Sequence, residues 1–246
     1  MSKKFYTNVQ VSGNNILYRG VVGGKRIKTK IEYSPSLYIQ SKIPSKYRSL
    51  DGENIQQKIF GNIREARDYI KQFDGIPGVS KIYGNTRFEY AFIADQHKGM
   101  IEWDMDKILI GVIDIEVGSD NGFPDPYLAN EPITAITISY VNGRTYVFGC
   151  GDYETQGNEI YYKCKDEWTL CKEFLKLWMD QCPDVLTGWN TKFFDVPYIV
   201  NRFRKILGED DTRRLSPWFF ISERKTVING REMIAYGFDG VAQLDY

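Results

Sequence analysis

The chain has 246 residues, with 32 Lys plus Arg set against 32 Asp plus Glu, so its formal net charge is zero. That balance excludes a polybasic binder working through bulk electrostatics, although a local basic groove on a neutral body stays open. Hydrophobic residues make up 42% and aromatics 15%, enough for a packed core and against disorder, and the length suits one large domain or two smaller ones. Residues 4–40 read as strands punctuated by Gly13-Asn14-Asn15 and Gly23-Gly24. Residues 25–31 alternate, with Lys25, Ile27, Thr29 and Ile31 on one face and Arg26, Lys28 and Lys30 on the other. That gives a half-buried strand with one basic face, or else a solvated edge strand where lysine blocks aggregation. Residues 62–73 predict a helix: Asn62 with Glu65 makes a capping box, Ile63, Ala66, Ile70 and Phe73 form a stripe, and Gly75, Pro77 and Gly78 end it. A strand is expected around Phe88–Ala94, and the polar stretch Asp95–Asp106 carries the expected domain boundary.

Beyond it, Ile108–Ile113 has buried-strand character, and strands follow at Pro132–Val141 and Thr145–Phe148. Residues 166–181 predict a helix capped by Asp166, with Leu170, Phe174, Leu177 and Trp178 on its apolar face. Residues 196–207 predict another, with Val196, Ile199, Val200, Phe203 and Leu207 inward. Asn229-Gly230 between strand-like flanks predicts a β-hairpin over residues 222–236. Strands followed by helices packed on them indicate a mixed α/β or α+β fold. The single histidine, His97, excludes His-rich zinc sites. Cys150, Cys164, Cys171 and Cys182 form no Cys-x-x-Cys pair and read as reduced thiols of a cytosolic protein. The briefly basic start, Met1–Phe5, is followed by no signal-peptide core, and no apolar run approaches the about 20 residues of a membrane span.

Two segments carry chemistry. In Ile113-Asp114-Ile115-Glu116-Val117 the period of 2 puts Asp114 and Glu116 on one face of a strand and the apolar residues on the other. Paired carboxylates ending an apolar strand are either solvated or bound to hard cations such as Mg²⁺ or Mn²⁺. In the second segment, Thr187–Tyr198, Asp195 either caps the helix that follows or aims a carboxylate into a cleft.

Together, Asp114-Ile115-Glu116, Gly188-Trp189-Asn190 and Phe194-Asp195-x-Pro197-Tyr198 resemble the first two exonuclease motifs of family B DNA polymerases, most closely those of T-even-type bacteriophages. Tyr33–Leu37, Gly122-Phe123-Pro124, Pro132–Thr137, Arg214–Pro217 and Leu244-Asp245-Tyr246 extend the likeness over essentially the whole chain. The resemblance implies an α/β chain: an α+β N-terminal domain over residues 1–103, then a ribonuclease H-like 3′–5′ exonuclease domain over 104–246. It implies a two-metal site for Mg²⁺ or Mn²⁺, with Asp114, Glu116 and Asp195 as catalytic, metal-holding carboxylates. Asn190, Phe194 and Phe123 become substrate-binding residues, Phe123 against the terminal bases. Read without the resemblance, Phe123 is equally a loop anchor and Phe194 a core residue.

The same likeness implies a third motif, a Tyr followed four positions later by Asp. None follows Asp195: Tyr198 leads to Arg202 and Tyr236 to Gly240. The expectation is a chain truncated before that motif, either part of a polymerase or half of a naturally split one. Its implied partners are DNA, as a single-stranded 3′ end and primer-template, the remaining polymerase polypeptide and replication accessory proteins. No membrane is implied, and the compartment is the infected host's cytoplasm. Arg202, Arg204, Arg213, Arg214, Arg224 and Lys225 are candidates for the phosphate backbone, or else a solvated face balanced by Glu209, Asp210 and Asp211. The rival function is a catalytically incomplete nucleic-acid-binding or partner-docking module.

Overall fold

The computed structural model describes residues 4–73, 81–120, 122–141, 143–228 and 230–245. It divides into two compact units, Met1–Trp103 and Asp104–Tyr246. In the first, β1 (Lys4–Ser12), β2 (Asn15–Val22) and β3 (Lys25–Glu32) form an antiparallel meander. The β2–β3 turn needs Gly23 and Gly24, whose φ angles of 61° and 75° suit residues without Cβ. A second sheet, ordered β5-β6-β4-β7, combines β4 (Ser36–Gln40), β5 (Tyr47–Arg48), β6 (Asn54–Ile59) and β7 (Ile82–Tyr83).

Helix α1 (Ile63–Phe73) lies between β6 and β7 in the chain and begins with the expected capping box. Asn62 Oδ1 accepts from the Glu65 amide at 2.9 Å, and Glu65 Oε2 accepts from the Gly61 amide at 2.9 Å. The stop at Gly75, Pro77 and Gly78 lies outside the described residues. Residues 88–94, expected as a strand, form helix α2 (Phe88–Gln96) instead. Aromatic content favours a strand locally, but Phe88 and Phe92, four residues apart, share one buried helical face. Phe92 meets Tyr18 and Tyr33 edge-on at 6.1 and 5.4 Å, so tertiary packing decides the conformation.

The second unit is built on a six-stranded mixed sheet. Its first four strands are β8 (Ile110–Val117), β9 (Ile133–Tyr140), β10 (Arg144–Gly149) and β11 (Glu159–Lys163). Helix α3 (Glu167–Asp180), β12 (Val185–Gly188), α4 (Asp195–Ile206) and the short α5 (Glu209–Thr212) follow. A hairpin, β13 (Ile221–Ile228) with β14 (Arg231–Phe238), precedes the last strand, β15 (Ala242–Asp245). The strand order is β11-β10-β9-β8-β12-β15. The β8–β9 and β9–β10 pairs are antiparallel, while β10–β11, β8–β12 and β12–β15 are parallel. This mixed α/β architecture agrees with the ribonuclease H-like expectation.

Asp166 caps α3 as expected, accepting from the Thr169 amide at 2.8 Å. Leu170, Phe174 and Trp178 bury one face of α3 against the sheet, and Trp178 Nε1 donates to the Leu215 carbonyl at 2.8 Å. The hairpin predicted around Asn229-Gly230 is present, although Asn229 itself lies outside the described residues. All four cysteines are free. No helix among the described residues is long and apolar enough to cross a membrane.

Candidate active site

The site forms where β8 outruns its neighbour. β12 pairs with β8 only at Ile110, Gly111 and Val112, because it ends at Gly188. The last half of β8 therefore has β9 on one side and no strand on the other. Asp114 and Glu116 project from it to solvent, while Ile113 and Ile115, 2% and 7% exposed, enter the core. Between Glu116 and Val117 the pairing with β9 slips, a bulge that ends the ladder beside the carboxylates.

The unpaired side of β8 is met by Asp195, which is 4% exposed. Its Oδ1 accepts the Ile115 amide at 3.1 Å, replacing the partner that a longer β12 would supply. Asp195 is the first residue of α4, with Phe194 at the N-cap, so of the two roles left open by the sequence its side chain does not cap the helix but bonds to β8. Its pKa is pushed up from 3.8 to about 6, first by burial, then by the charge of Asp114, with a smaller push from Asp245. The amide bonds oppose this shift.

The sign of this perturbation gives a stability prediction. The folded state binds the Asp195 proton more tightly than the unfolded chain. The stabilisation is therefore complete below about pH 4 and lost as pH rises through about 6. Asp195→Asn keeps an oxygen acceptor for Ile115 and removes the buried charge. Its melting temperature should exceed that of the parent at pH 7.5, and the gap should shrink as pH falls and close below about pH 4, as read by calorimetry.

Chain geometry brings Asp195 there. β12 leaves the sheet at Gly188, where an added Cβ would lie 2.6 Å from the Ile113 carbonyl oxygen and 2.4 Å from Thr191 Cγ2. A side chain at this position has to displace backbone of the strand that carries Asp114. Gly188→Ala should lower stability by about 1–3 kcal/mol, measured by urea denaturation. Asn190 follows at φ 53°, a left-handed conformation that Asn tolerates, and its carbonyl accepts the Phe193 and Phe194 amides. The turn then enters α4. Asp245, at the end of β15, accepts the Thr191 amide at 2.8 Å and the Thr191 hydroxyl at 3.2 Å.

Beside this turn lies a cleft of ≈ 1010 Å³ whose lining includes Phe123, Asn190, Phe193, Phe194 and Met233. Phe123 is 88% exposed, and its ring centroid is 5.5 Å from that of Phe194, which is 5.8 Å from Tyr198. The loop carrying Phe123 is tied down by α4 and the hairpin. Asn201 Nδ2 donates to the Pro126 carbonyl at 3.0 Å, Tyr198 donates to the Glu131 carbonyl at 2.7 Å, and the Ile234 amide donates to the Tyr127 hydroxyl at 3.2 Å.

The basic residues considered for phosphate contact are mostly engaged elsewhere. Arg202 grips Glu167 through Nε at 2.7 Å and Nη2 at 2.6 Å, and its Nη1 donates to the Ala129 and Asn130 carbonyls. Arg204 pairs with Glu209 and Glu223, Arg213 with Glu209, Arg214 with Asp211, and Lys225 with Glu232. Glu209 and Asp211, named from sequence as balancing acids, supply three of these pairs, while Glu167 and Glu223 reach Arg202 and Arg204 from further along the chain. Arg224 carries no ion pair among the described residues and lines a second cavity of ≈ 420 Å³ with Lys192 and Asp245.

The six residues proposed from sequence fall into two sets. Asp114 and Glu116 share the exposed face of β8, and Asp195 is bonded to the amide of Ile115 between them, close enough for the charge of Asp114 to reach it. Phe123, Asn190 and Phe194 share the neighbouring cleft. Among the described residues no group of three or more His, Cys, Asp or Glu is arranged to hold a metal ion. Sequence reasoning gave no role to Asp245, Tyr127 or Asn201. A four-residue strand such as β15 has no periodicity by which its terminal Asp could be singled out.

Comparison with known proteins converges on the same segments. Residues 76–246 match the family described as DNA polymerase family B, exonuclease domain. The chain is 32% identical, over 281 aligned positions, to the DNA-directed DNA polymerase of Escherichia phage RB69, covering 99% of this chain and 30% of that protein. It is 31% identical over 274 positions to the DNA-directed DNA polymerase of Enterobacteria phage T4, with the same coverage of 99% and 30%. The DNA polymerase catalytic subunit of Elephantid herpesvirus 1 is 27% identical over 110 positions, 42% of this chain and 11% of that protein. The chain thus spans about 30% of the length of its two phage relatives. It belongs to the family B DNA polymerases, as a portion that carries their exonuclease domain.

Proposed function

We propose that residues 104–246 trim the 3′ end of single-stranded DNA, the proofreading step of a phage-type polymerase, and that residues 1–103 form its N-terminal domain. The observation that carries this reading is the bond of Asp195 to the Ile115 amide, which sets its carboxylate on the strand between Asp114 and Glu116 at the unpaired end of β8. The donors are all carboxylate oxygens, which suit Mg²⁺ or Mn²⁺. Burial and the neighbouring charge of Asp114, which together raise the pKa of Asp195, also favour a cation there. Asp114, Glu116 and Asp195 would hold two such ions, which supply an activated water and stabilise the leaving oxygen.

The chain's own residues do the rest. Phe123, exposed and braced by Phe194, stacks on a terminal base; such stacking contributes roughly 1–3 kcal/mol per base and tolerates any sequence. Asn190 and Phe194 line the path of the strand. The partners are DNA and the polypeptide bearing the polymerase active site, with replication accessory proteins around them, in the host cytoplasm.

A second reading, in which the chain alone binds DNA without cutting it, is favoured by the lack of three metal-competent donors among the described residues. The test is 5′-labelled single-stranded DNA with Mn²⁺, incubated with the chain alone and with the remaining polymerase polypeptide added. Stepwise shortening from the 3′ end supports the exonuclease. Shortening that requires the second polypeptide supports a shared site. Cleavage from the 5′ end, or binding without shortening in both mixtures, overturns the exonuclease reading.

A further inference from the structure

We infer that Asp245 is a positioning residue of the exonuclease site, acting through Thr191 to fix where α4 presents Asp195; this rests on the function proposed above. β15 pairs in parallel with β12, and Asp245 lies in register with Gly188, the last residue before the chain turns toward α4. Its Oδ1 accepts both the amide and the hydroxyl of Thr191, at 2.8 and 3.2 Å. Thr191 is only 5% exposed, so water cannot readily replace that acceptor.

Thr191 in turn controls the helix entry. Its carbonyl accepts the Val196 amide at 2.9 Å, one residue past Asp195. Asp195 then reaches back to the Ile115 amide. A relay of three hydrogen-bonded contacts therefore joins the last described residue of the chain to the strand bearing Asp114 and Glu116. The geometry asks for an oxygen acceptor at position 245, which Asn also supplies. The ionised acceptor makes the stronger, charge-assisted bond.

Amide hydrogen exchange, read residue by residue by NMR on the 246-residue chain, tests the relay without relying on turnover. Asp245→Ala should speed exchange at Thr191 and also at Ile115, each at least tenfold, and Asp245→Asn should restore most of the protection at both. Unchanged exchange at Ile115 in Asp245→Ala overturns the inference, since the bond would then serve the turn alone. Should Asp245→Ala fail to fold, Thr191→Val removes only the hydroxyl. It should speed exchange at Ile115 by a smaller factor, and no change there is equally fatal.

In the polymerase containing this chain, kcat for removing a 3′ mismatch should fall tenfold or more in Asp245→Ala and recover in Asp245→Asn, because an ångström of misplacement is costly to a reacting geometry. Full activity in Asp245→Ala overturns the positioning role. Absence of trimming by the parent protein would refute the function itself, while the exchange result at Ile115 still decides the relay.

Discussion

The double variant Asp114→Ala/Glu116→Ala is expected to fold like the parent and to lose trimming of DNA 3′ ends by about 10³-fold or more in the polymerase that contains this chain. That factor corresponds to about 4 kcal/mol of barrier, the scale reached when a preorganised charge-stabilising group is deleted from an active site. Folding is spared because both carboxylates project to solvent, while the core on that strand is built from Ile113 and Ile115. Removing Asp114 also removes a charge that disfavours ionised Asp195, so stability near neutral pH should rise slightly. Nucleotide addition should be unaffected, since neither residue bears on it. A denaturing gel of labelled primer, a nucleotide-incorporation assay and a thermal melt read the three outcomes. Undiminished trimming by the double variant would remove these residues from the chemistry.

Arg202→Ala is the substitution with the largest expected effect on stability, about 3–5 kcal/mol. The pair it breaks is nearly enclosed, with side-chain exposures of 12% for Arg202 and 15% for Glu167. Glu167 would be left buried without its counter-charge. The Ala129 and Asn130 carbonyls would lose a donor that holds the loop between the Phe123 segment and β9. Lysine should not rescue, because a point charge cannot reproduce the two-pronged contact made by Nε and Nη2. Arg214→Ala provides the contrast: its pair with Asp211 leaves Arg214 45% exposed, and a change within about 0.5 kcal/mol is expected. Urea unfolding of the three variants measures the difference.

Much of the second unit was legible because its elements carry regular signals. The alternation of β8 placed Asp114 and Glu116 on one face, Asp166 announced α3, and Asn-Gly announced the hairpin. The strands β11, β12 and β15 were invisible because four or five residues show no period, and they exist by pairing with partners far along the chain. Residues 88–94 differ from the sequence expectation for a related reason: aromatic composition points to a strand, while burial of Phe88 and Phe92 on one side requires a helix. The basic residues of α4 and its surroundings illustrate the same limit. Sequence counts charges, but only folding shows that Glu167 lies against Arg202 and Glu223 against Arg204. Asp195 stood out through its motif, yet its bond to Ile115 spans 80 residues and has no local trace.

A bond from the Ile234 amide to the Tyr127 hydroxyl ties the hairpin to the loop that presents Phe123. Tyr236, two residues further along β14, donates to Asn201, which holds the same loop at Pro126. Strand β14, α4 and the loop at Phe123 are therefore braced as one unit, so a substitution that shifts β14 is also felt where Phe123 is exposed.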